Sequence, residues 1–445
     1  MLQTQQVISC IEQQVLRLLR ELMTTEENEE SSHSLESPMG STPEMNEQAE
    51  KRIASNPEQG SSIRDHERQL NGQFDVSSRE QELPPSRILF SLKEFFNAQS
   101  TCRFICKLKL MHLILQLCIY NKFSTKRDMY YCMKPLMKNQ AQCNQVLKEL
   151  SENWHVHRHD LHVVPQSRGE VCGHFSFIQC NLNDVVSSHH TVLMPSSTRS
   201  VTPVSLKVSA LSTCSIPSIP HLQIVGFEIP REVDSLLIVE KESVFQQLKQ
   251  TLAANVELRK FILITSKGYP DVPTRDFIVT LVKYVAKYQR RSLKLYLFTD
   301  GDPYGAEIAH VYIHGSKSFN NEKKTLTLLH VDCEEECKFW VMQTYLNIQW
   351  LGVHLEEFLQ RCDEGNLELN PCYKNCLLPL DSGDCCKIDS LLTTLGELEH
   401  SCCETLSRQL AFMKEFGSKV EIEALTFVGV DYWTYILAKT SSSVV

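Results

Sequence analysis

Apolar positions along this chain fall into distinct regimes. At the start, Leu2, Val7, Ile8, Ile11, Val15, Leu18, Leu19 and Leu22 recur at spacings of three and four. That spacing marks one face of an amphipathic helix over residues 1–24. Between 236 and 298 the apolar residues instead form short runs: Leu236-Leu237-Ile238-Val239, Phe261-Ile262-Leu263-Ile264 and residues 293–298, the last interrupted by Lys294. Such runs predict strands buried on both faces, and the intervening stretches 244–252, 274–288 and 306 onward predict helices. Strands alternating with helices build a parallel sheet. The last ~110 residues read as largely helical.

The segment 86–180 follows a third pattern. Leu108, Leu110, Met111, Leu113, Ile114, Leu115 and Leu117 predict a buried helix ending near Asn121. Ser124 or Thr125 can cap a second helix through Tyr130 and Tyr131, and a third follows over 140–150. Residues 154–177 alternate and contain Gly169 and Gly173, predicting a hairpin. Three helices and a hairpin describe a winged helix, a common DNA-binding design. Residues 26–85, rich in Glu, Ser, Pro, Gln and Asn, predict a disordered linker. Residues 181–218 read as a Ser/Thr/Pro-rich connector. A helix tethered by such a linker has no core of its own, so helix 1–25 is expected to dock on a partner subunit.

Charge sharpens this division. The net charge of the 445 residues is -9, and residues 26–82, with 14 acids and 5 bases, account for all of it. The remaining chain is neutral and can carry a basic groove. No run approaches the ~18 apolar residues of a membrane span. Glu12, Arg17, Arg20 and Glu21 interrupt the N-terminal helix, which does not read as a secretory signal. The 18 cysteines are scattered and read as reduced thiols of the cytosol or nucleus. The CRFIC and CEEEC pairs lack matching second pairs, so zinc is not assigned. His155, His157 and His159 would share a face on a strand, but no acid-lined pocket makes them a metal site.

The chemistry concentrates in two places. Glu240 closes the strand LLIV, and Asp300 and Asp302, in FTDGDPYG, close the strand LKLYLF. Two strands of one parallel sheet would present three carboxylates at one edge, an oxygen-only set suited to Mg2+ or Mn2+. Asp-Gly and Asp-Pro are also turn formers, and the acid on a second strand decides for metal. Upstream, a Tyr-Tyr pair alone would count as structural.

VEKESVF, SKGYPDVPTR and LFTDGDPYG, in that order, resemble the Toprim domain of topoisomerase VI A subunits. STKRDMYY resembles the catalytic helix of the same family. QWLG (349–352), LPLDSGD (378–384), KIDSLL (387–392) and KVEIEALTF (419–427) resemble its C-terminal region. The resemblance runs from about Ser86 to Lys439, and within the superfamily it points to the meiotic branch, the sporulation-eleven family, which makes programmed double-strand breaks. It implies an α/β fold plus winged helix: a CAP-like winged-helix domain over 86–180, then a Toprim domain with a helical C-terminal extension over 219–445. It implies Tyr131 as the nucleophile and Mg2+ at Glu240, Asp300 and Asp302.

A phenol is a weak nucleophile at neutral pH, and charge on the phosphoryl oxygens must be offset. Arg127 is therefore expected to clamp the phosphate, with Asp128 orienting it or accepting a proton; Tyr130 is expected to pack. Lys241, Arg275, Lys267, Arg158 and Arg168 are expected DNA contacts, the last two on the wing. The resemblance further implies a nuclear homodimer in which the tyrosine of one protomer works with the acids of the other on double-stranded DNA. No GxxxxGKS loop is present, so any ATP gating must come from a partner resembling the B subunit, contacted by the N-terminal helix. The rival readings are a resealing topoisomerase and a non-catalytic component that only binds DNA. The chain departs from the family between Gly315 and Trp350, where it is longer and cysteine-bearing.

Overall fold

A computed structural model describes residues 2–33, 100–180, 204–208, 212–315, 333–364, 375–398 and 400–441. The chain divides into two units, residues 9–105 and residues 1–8 with 106–445. Helix α1, Leu2–His33, runs past the expected end at 24, so the start of the tract expected to lack structure is helical. Its remainder, residues 34–85, lies outside the described residues, as do 181–203 of the connector and 316–332 of the divergent segment. No described helix is long and apolar enough to cross a membrane.

Three helices follow: α2 (Thr101–Ile119), α3 (Lys126–Met133) and α4 (Gln140–Trp154). Leu110, Met111 and Ile114 of α2, Met129 and Met133 of α3, and Val146, Leu147 and Leu150 of α4 are buried. Spacings of three and four put each set on one face of its helix. Strand β1 (Ser124–Thr125) pairs in parallel with β2 (Val163–Val164), which fixes the start of α3.

The hairpin expected over 154–177 does not form. Strand β3 (Glu170–Gly173) pairs antiparallel with a strand of the large sheet, Phe261–Thr265. Strand β4 (Phe175–Gln179) joins a separate three-stranded sheet with β5 (Val204–Val208) and β7 (Ile224–Glu228). Gly173 is the reason for the split. A Cβ there would lie 3.1 Å from both Ile262 Cα and Phe261 O, so the glycine marks a close backbone approach to the large sheet. Nor do His155, His157 and His159 lie on a strand. His155 ends α4 in the left-handed conformation, φ 52°, while the rings of His157 and His159 stack 5.3 Å apart.

The large sheet has the order β11-β10-β8-β9-β3-β6. Strands β8 (Ser235–Val239), β9 (Phe261–Thr265), β10 (Lys294–Phe298) and β11 (Ile348–Gly352) are mutually parallel, and β6 is Cys214–Ser215. Every residue of β8 and β9 is buried, which explains their unbroken apolar composition. Helices α5 (Glu242–Ala254), α6 (Val272–Tyr284) and α7 (Pro303–His314) follow β8, β9 and β10. From β8 the chain goes to β9 on one side; from β10 it goes to β11 on the other. The crevice between the carboxyl ends of β8 and β10 is thus a topological switch point, the favoured ligand position in an open parallel sheet.

The C-terminal part is mostly helical, as expected: α8 (Glu335–Leu346), α9 (Leu355–Glu364), α10 (Ser382–Leu395), α11 (Ser401–Phe416) and α12 (Tyr432–Ser441). It also supplies β12 (Leu377–Pro379) and β13 (Ser418–Val420), paired antiparallel. Val420 reaches the loop after β10: Gly301 N donates to Val420 O at 2.8 Å and Val420 N donates to Gly301 O at 3.0 Å. A Cβ on Gly301 would sit 2.4 Å from Val353 O and 2.7 Å from Val420 Cγ1. Gly301→Ala should therefore lower unfolding stability by about 1–3 kcal/mol, as overpacking does. Denaturant titration checks this; an unchanged midpoint would mean the loop is not clamped there.

Candidate catalytic tyrosine and acid cluster

Tyr131 stands on the last turn of α3. The short helix is started by Thr125, whose Oγ1 accepts from Asp128 N at 3.2 Å while Asp128 Oδ2 accepts from Thr125 N at 3.3 Å and from Thr125 Oγ1 at 2.7 Å. This is a reciprocal capping box, worth roughly 1 kcal/mol to an otherwise marginal helix. The Asp128 carboxylate is thereby committed to Thr125, and it supports Arg127 through the helix start rather than by a bond of its own. Arg127 lies one turn before Tyr131, and its Nε donates to Tyr131 Oη at 3.1 Å. Tyr131 is 51 % exposed, open to a large substrate. Tyr130 is half-buried, its ring 6.0 Å from that of Tyr131. A cavity of about 500 Å³ beside the pair is lined by Lys126, Arg127, Gln140, Arg158, Pro165 and Gln166, among others. An oxyanion placed there would meet two side chains that are cationic at neutral pH on α3 alone.

The acid cluster sits at the switch point. Val239 and Phe298 are register partners, so Glu240 and the residues after Phe298 leave the sheet side by side. Asp300 N donates to Glu240 Oε2 at 3.0 Å, and Asp300 Oδ1 accepts from Ile422 N at 2.8 Å. Asp302 caps α7, its Oδ1 accepting from Gly305 N at 2.6 Å. Thr299 is pinned from the neighbouring strand by Trp350 Nε1, 2.8 Å from its Oγ1. Burial, with the Asp300 charge adding to it, pushes Glu240 up to about 7. Burial likewise raises Asp300 to about 6, and it raises Asp302.

Three oxygen donors that resist ionisation alone fit a hard divalent cation, which favours their charged forms. Among the described residues, no three His, Cys, Asp or Glu side chains stand ready to ligate one ion. The reason is visible in their present partners: Asp302 caps a helix, and Asp300 holds the Lys241 ammonium 3.0 Å from its Oδ1.

The expected DNA-contact cations are not uniformly outward. Lys241 also holds Glu421 and Glu423, and Lys267 Nζ lies 2.7 Å from Glu170 and 2.8 Å from Glu242. Arg158 and Arg275 are buried, at 4 % and 7 % exposure, so neither stands on an exposed wing or rim. Arg168 is exposed, and its Nη2 donates to Tyr269 O at 3.1 Å. Sequence reading missed Glu421, Glu423, Asp384 and Lys419. Lys419 Nζ lies 2.6 Å from the buried Asp384, and the Lys419 charge bears on Asp302. Their motifs, LPLDSGD and KVEIEALTF, were the available signal, but only tertiary contact gives them chemistry.

Because folding raises Glu240 from its ordinary 4.5 to about 7, its bound proton stabilises the fold fully below pH 4.5 and no longer above pH 7. Glu240→Gln, neutral at every pH, should melt above the wild type at pH 8 in chelator, the gap closing toward pH 4. Melting curves across that range check this, and a gap independent of pH would refute the burial argument.

Two family models match this chain. One describes the Toprim domain of the topoisomerase 6 A-subunit and Spo11 family and matches residues 235–332; the other describes type IIB DNA topoisomerase and matches residues 102–163. The second covers α3 and the first covers all three cluster acids. The chain is 28 % identical to the meiotic recombination protein SPO11 of Homo sapiens, over 75 % of this chain and 69 % of that protein. It is 27 % identical to meiotic recombination protein SPO11-1 of Oryza sativa subsp. japonica, over 73 % and 70 %. It is 25 % identical to the A subunit of DNA topoisomerase 6 from Arabidopsis thaliana, over 77 % and 66 %. Matched in order by both models, and carrying a tyrosine helix ahead of an α/β domain with acids at its switch point, the chain is similar in both parts to the family of Spo11 and the topoisomerase 6 A-subunit.

Proposed function

We propose that this protein is a DNA-cleaving transesterase that makes meiotic double-strand breaks with Tyr131. The observation that carries the reading is the exposed Tyr131 hydroxyl accepting a hydrogen bond from Arg127, on the helix that a type IIB topoisomerase model matches. In the reaction, Tyr131 Oη gives up its proton and attacks a backbone phosphorus. The bond to the 3′ oxygen breaks and that oxygen takes a proton, leaving a 3′ hydroxyl and a 5′-phosphotyrosyl link. Arg127 follows the charge from the tyrosine oxygen to the phosphoryl oxygens, which is where a positioned cation lowers the barrier.

Glu240, Asp300 and Asp302 are assigned to Mg2+, which when bound supplies positive charge to the phosphate and the departing oxygen. Lys241, Lys267, Arg158, Arg168 and Arg275 are assigned to the DNA backbone; the two buried arginines and the two acid-bound lysines would have to exchange their present surroundings for phosphate. In this reading α2 to α4 form the CAP-like winged-helix module of residues 86–180, with β1 and β2 bracing α3, and residues 219–445 form the Toprim domain and its extension.

Two-fold symmetry suits cutting both strands, so the working form is a homodimer in which Tyr131 of one protomer meets the acids of its partner. Helix α1 buries Val7, Ile11 and Leu18 and exposes Val15, Leu16 and Leu19. The exposed face is assigned to a B-like subunit. Work on chromosomal DNA places the protein in the nucleus. The second reading, a topoisomerase component that reseals its breaks, draws on the likeness to the Arabidopsis protein and needs the same residues.

With Mg2+, DNA and the B-like partner, the wild type should form covalent protein–DNA adducts and Tyr131→Phe none, with DNA binding retained. Adducts from the Phe variant would sink the assignment. Arg127→Ala should slow adduct formation by about 10² to 10³-fold, the usual loss of one charge-stabilising donor. Burst kinetics measure this, and a rate within twofold of wild type would remove Arg127 from the chemistry.

A further inference from the structure

Lys241 has contacts in the acid cluster that the DNA-backbone role assigned to it does not account for. It directly follows Glu240 at the start of α5, and one ammonium is shared by three carboxylates. Its Nζ lies 3.0 Å from Asp300 Oδ1, 3.2 Å from Glu421 Oε2 and 2.6 Å from Glu423 Oε2. The three acids differ in kind. Asp300 is buried, whereas the side chains of Glu421 and Glu423 are 52 % and 39 % exposed.

The two glutamates are held in register by the backbone. Val420 and Gly301 exchange two hydrogen bonds, and Ile422 N donates to Asp300 Oδ1 at 2.8 Å. Glu421 and Glu423 flank Ile422 and both reach Lys241. The contact that fastens the C-terminal segment to Asp300 thus also delivers two acids to the lysine bound there.

A buried carboxylate needs a counter-charge, and Lys241 provides one for Asp300. An ammonium and a divalent ion a few ångströms apart in a partly dry site repel, so each weakens the hold of the other on that carboxylate. A divalent ion ligated by Asp300 would therefore displace the ammonium. Glu423, its nearest carboxylate, already contacts Nζ, so the lysine can leave Asp300 without crossing solvent.

We propose that Lys241 is a built-in competitor for the acid cluster: its ammonium and a divalent cation bind Asp300 in mutual exclusion, and Glu421 and Glu423 receive the displaced ammonium, setting how tightly the cluster takes metal. Lys241 and Glu423 are positioning residues in this scheme. The proposal rests on the reading of Glu240, Asp300 and Asp302 as metal acids.

The test is Mn2+ binding to the full chain, read from the free-ion electron paramagnetic resonance signal at fixed ionic strength. Lys241→Met should bind Mn2+ about tenfold more tightly, within the ordinary range of coupling between two sites. Lys241→Arg, which keeps the competing charge, should stay within about twofold of wild type. Glu423→Gln should weaken binding about fivefold in the wild-type background, by confining the lysine to Asp300, and should change it less than about twofold in the Lys241→Met background. Unaltered or weaker affinity in Lys241→Met overturns the competition. Equal weakening by Glu423→Gln in both backgrounds overturns the handover, since Glu423 would then act as a distant charge. Mn2+ binding that survives unchanged in Asp302→Asn overturns the metal-acid reading itself, and the competition falls with it.

Discussion

Gathering carboxylates at a nearly sealed sheet edge is electrostatically unfavourable, and much of the surrounding architecture answers to it. Desolvation and mutual repulsion both disfavour three adjacent negative charges. Each acid therefore has a donor fixed by the fold: Asp300 N for Glu240, Ile422 N for Asp300, Gly305 N for Asp302. The donors are backbone groups from two parts of the chain, the segment 300–305 and Ile422. Their geometry comes with the parallel pairing of β8 and β10 and with the clamp from β13, so the cluster is as rigid as the sheet beneath it.

The tyrosine site follows the opposite logic. Tyr131 is exposed on a two-turn helix, held by a capping box and by a single arginine one turn away. A short helix positioned by its first residue can present a nucleophile to a bulky duplex without burying it. The exposed nucleophile and the buried or half-buried acids thus divide the work that a single closed active site would combine. That division suits a substrate too large to be engulfed.

Features set by local pattern were readable from the residues alone. Apolar runs gave β8 to β10, the pair Ser124 and Thr125 bracketed the start of α3, and acids just past two strand ends placed Glu240 and Asp300 at one edge. Features set by distant contact were not. The alternation around Gly173 fits a hairpin as well as two strands that part company, and only the approach to Ile262 decides between them. Basic residues were expected to face outward, yet Arg158 and Arg275 are buried and Lys241 and Lys267 bind carboxylates far away in sequence. Glu421 and Glu423 lie in a recognisable motif, but its residues alone assign them no role, because that role depends on Val420 meeting Gly301.

That meeting also has a temporal side. Ile422 and Asp300 are 122 positions apart, and the strand that fastens the acid loop is made long after the loop itself. A nascent chain can present Tyr131, complete the central strands and fold α7 while the acid loop still lacks its clamp and its flanking glutamates. A chain that ends before β13 therefore carries the tyrosine helix and all three acids while lacking the contact that holds Asp300.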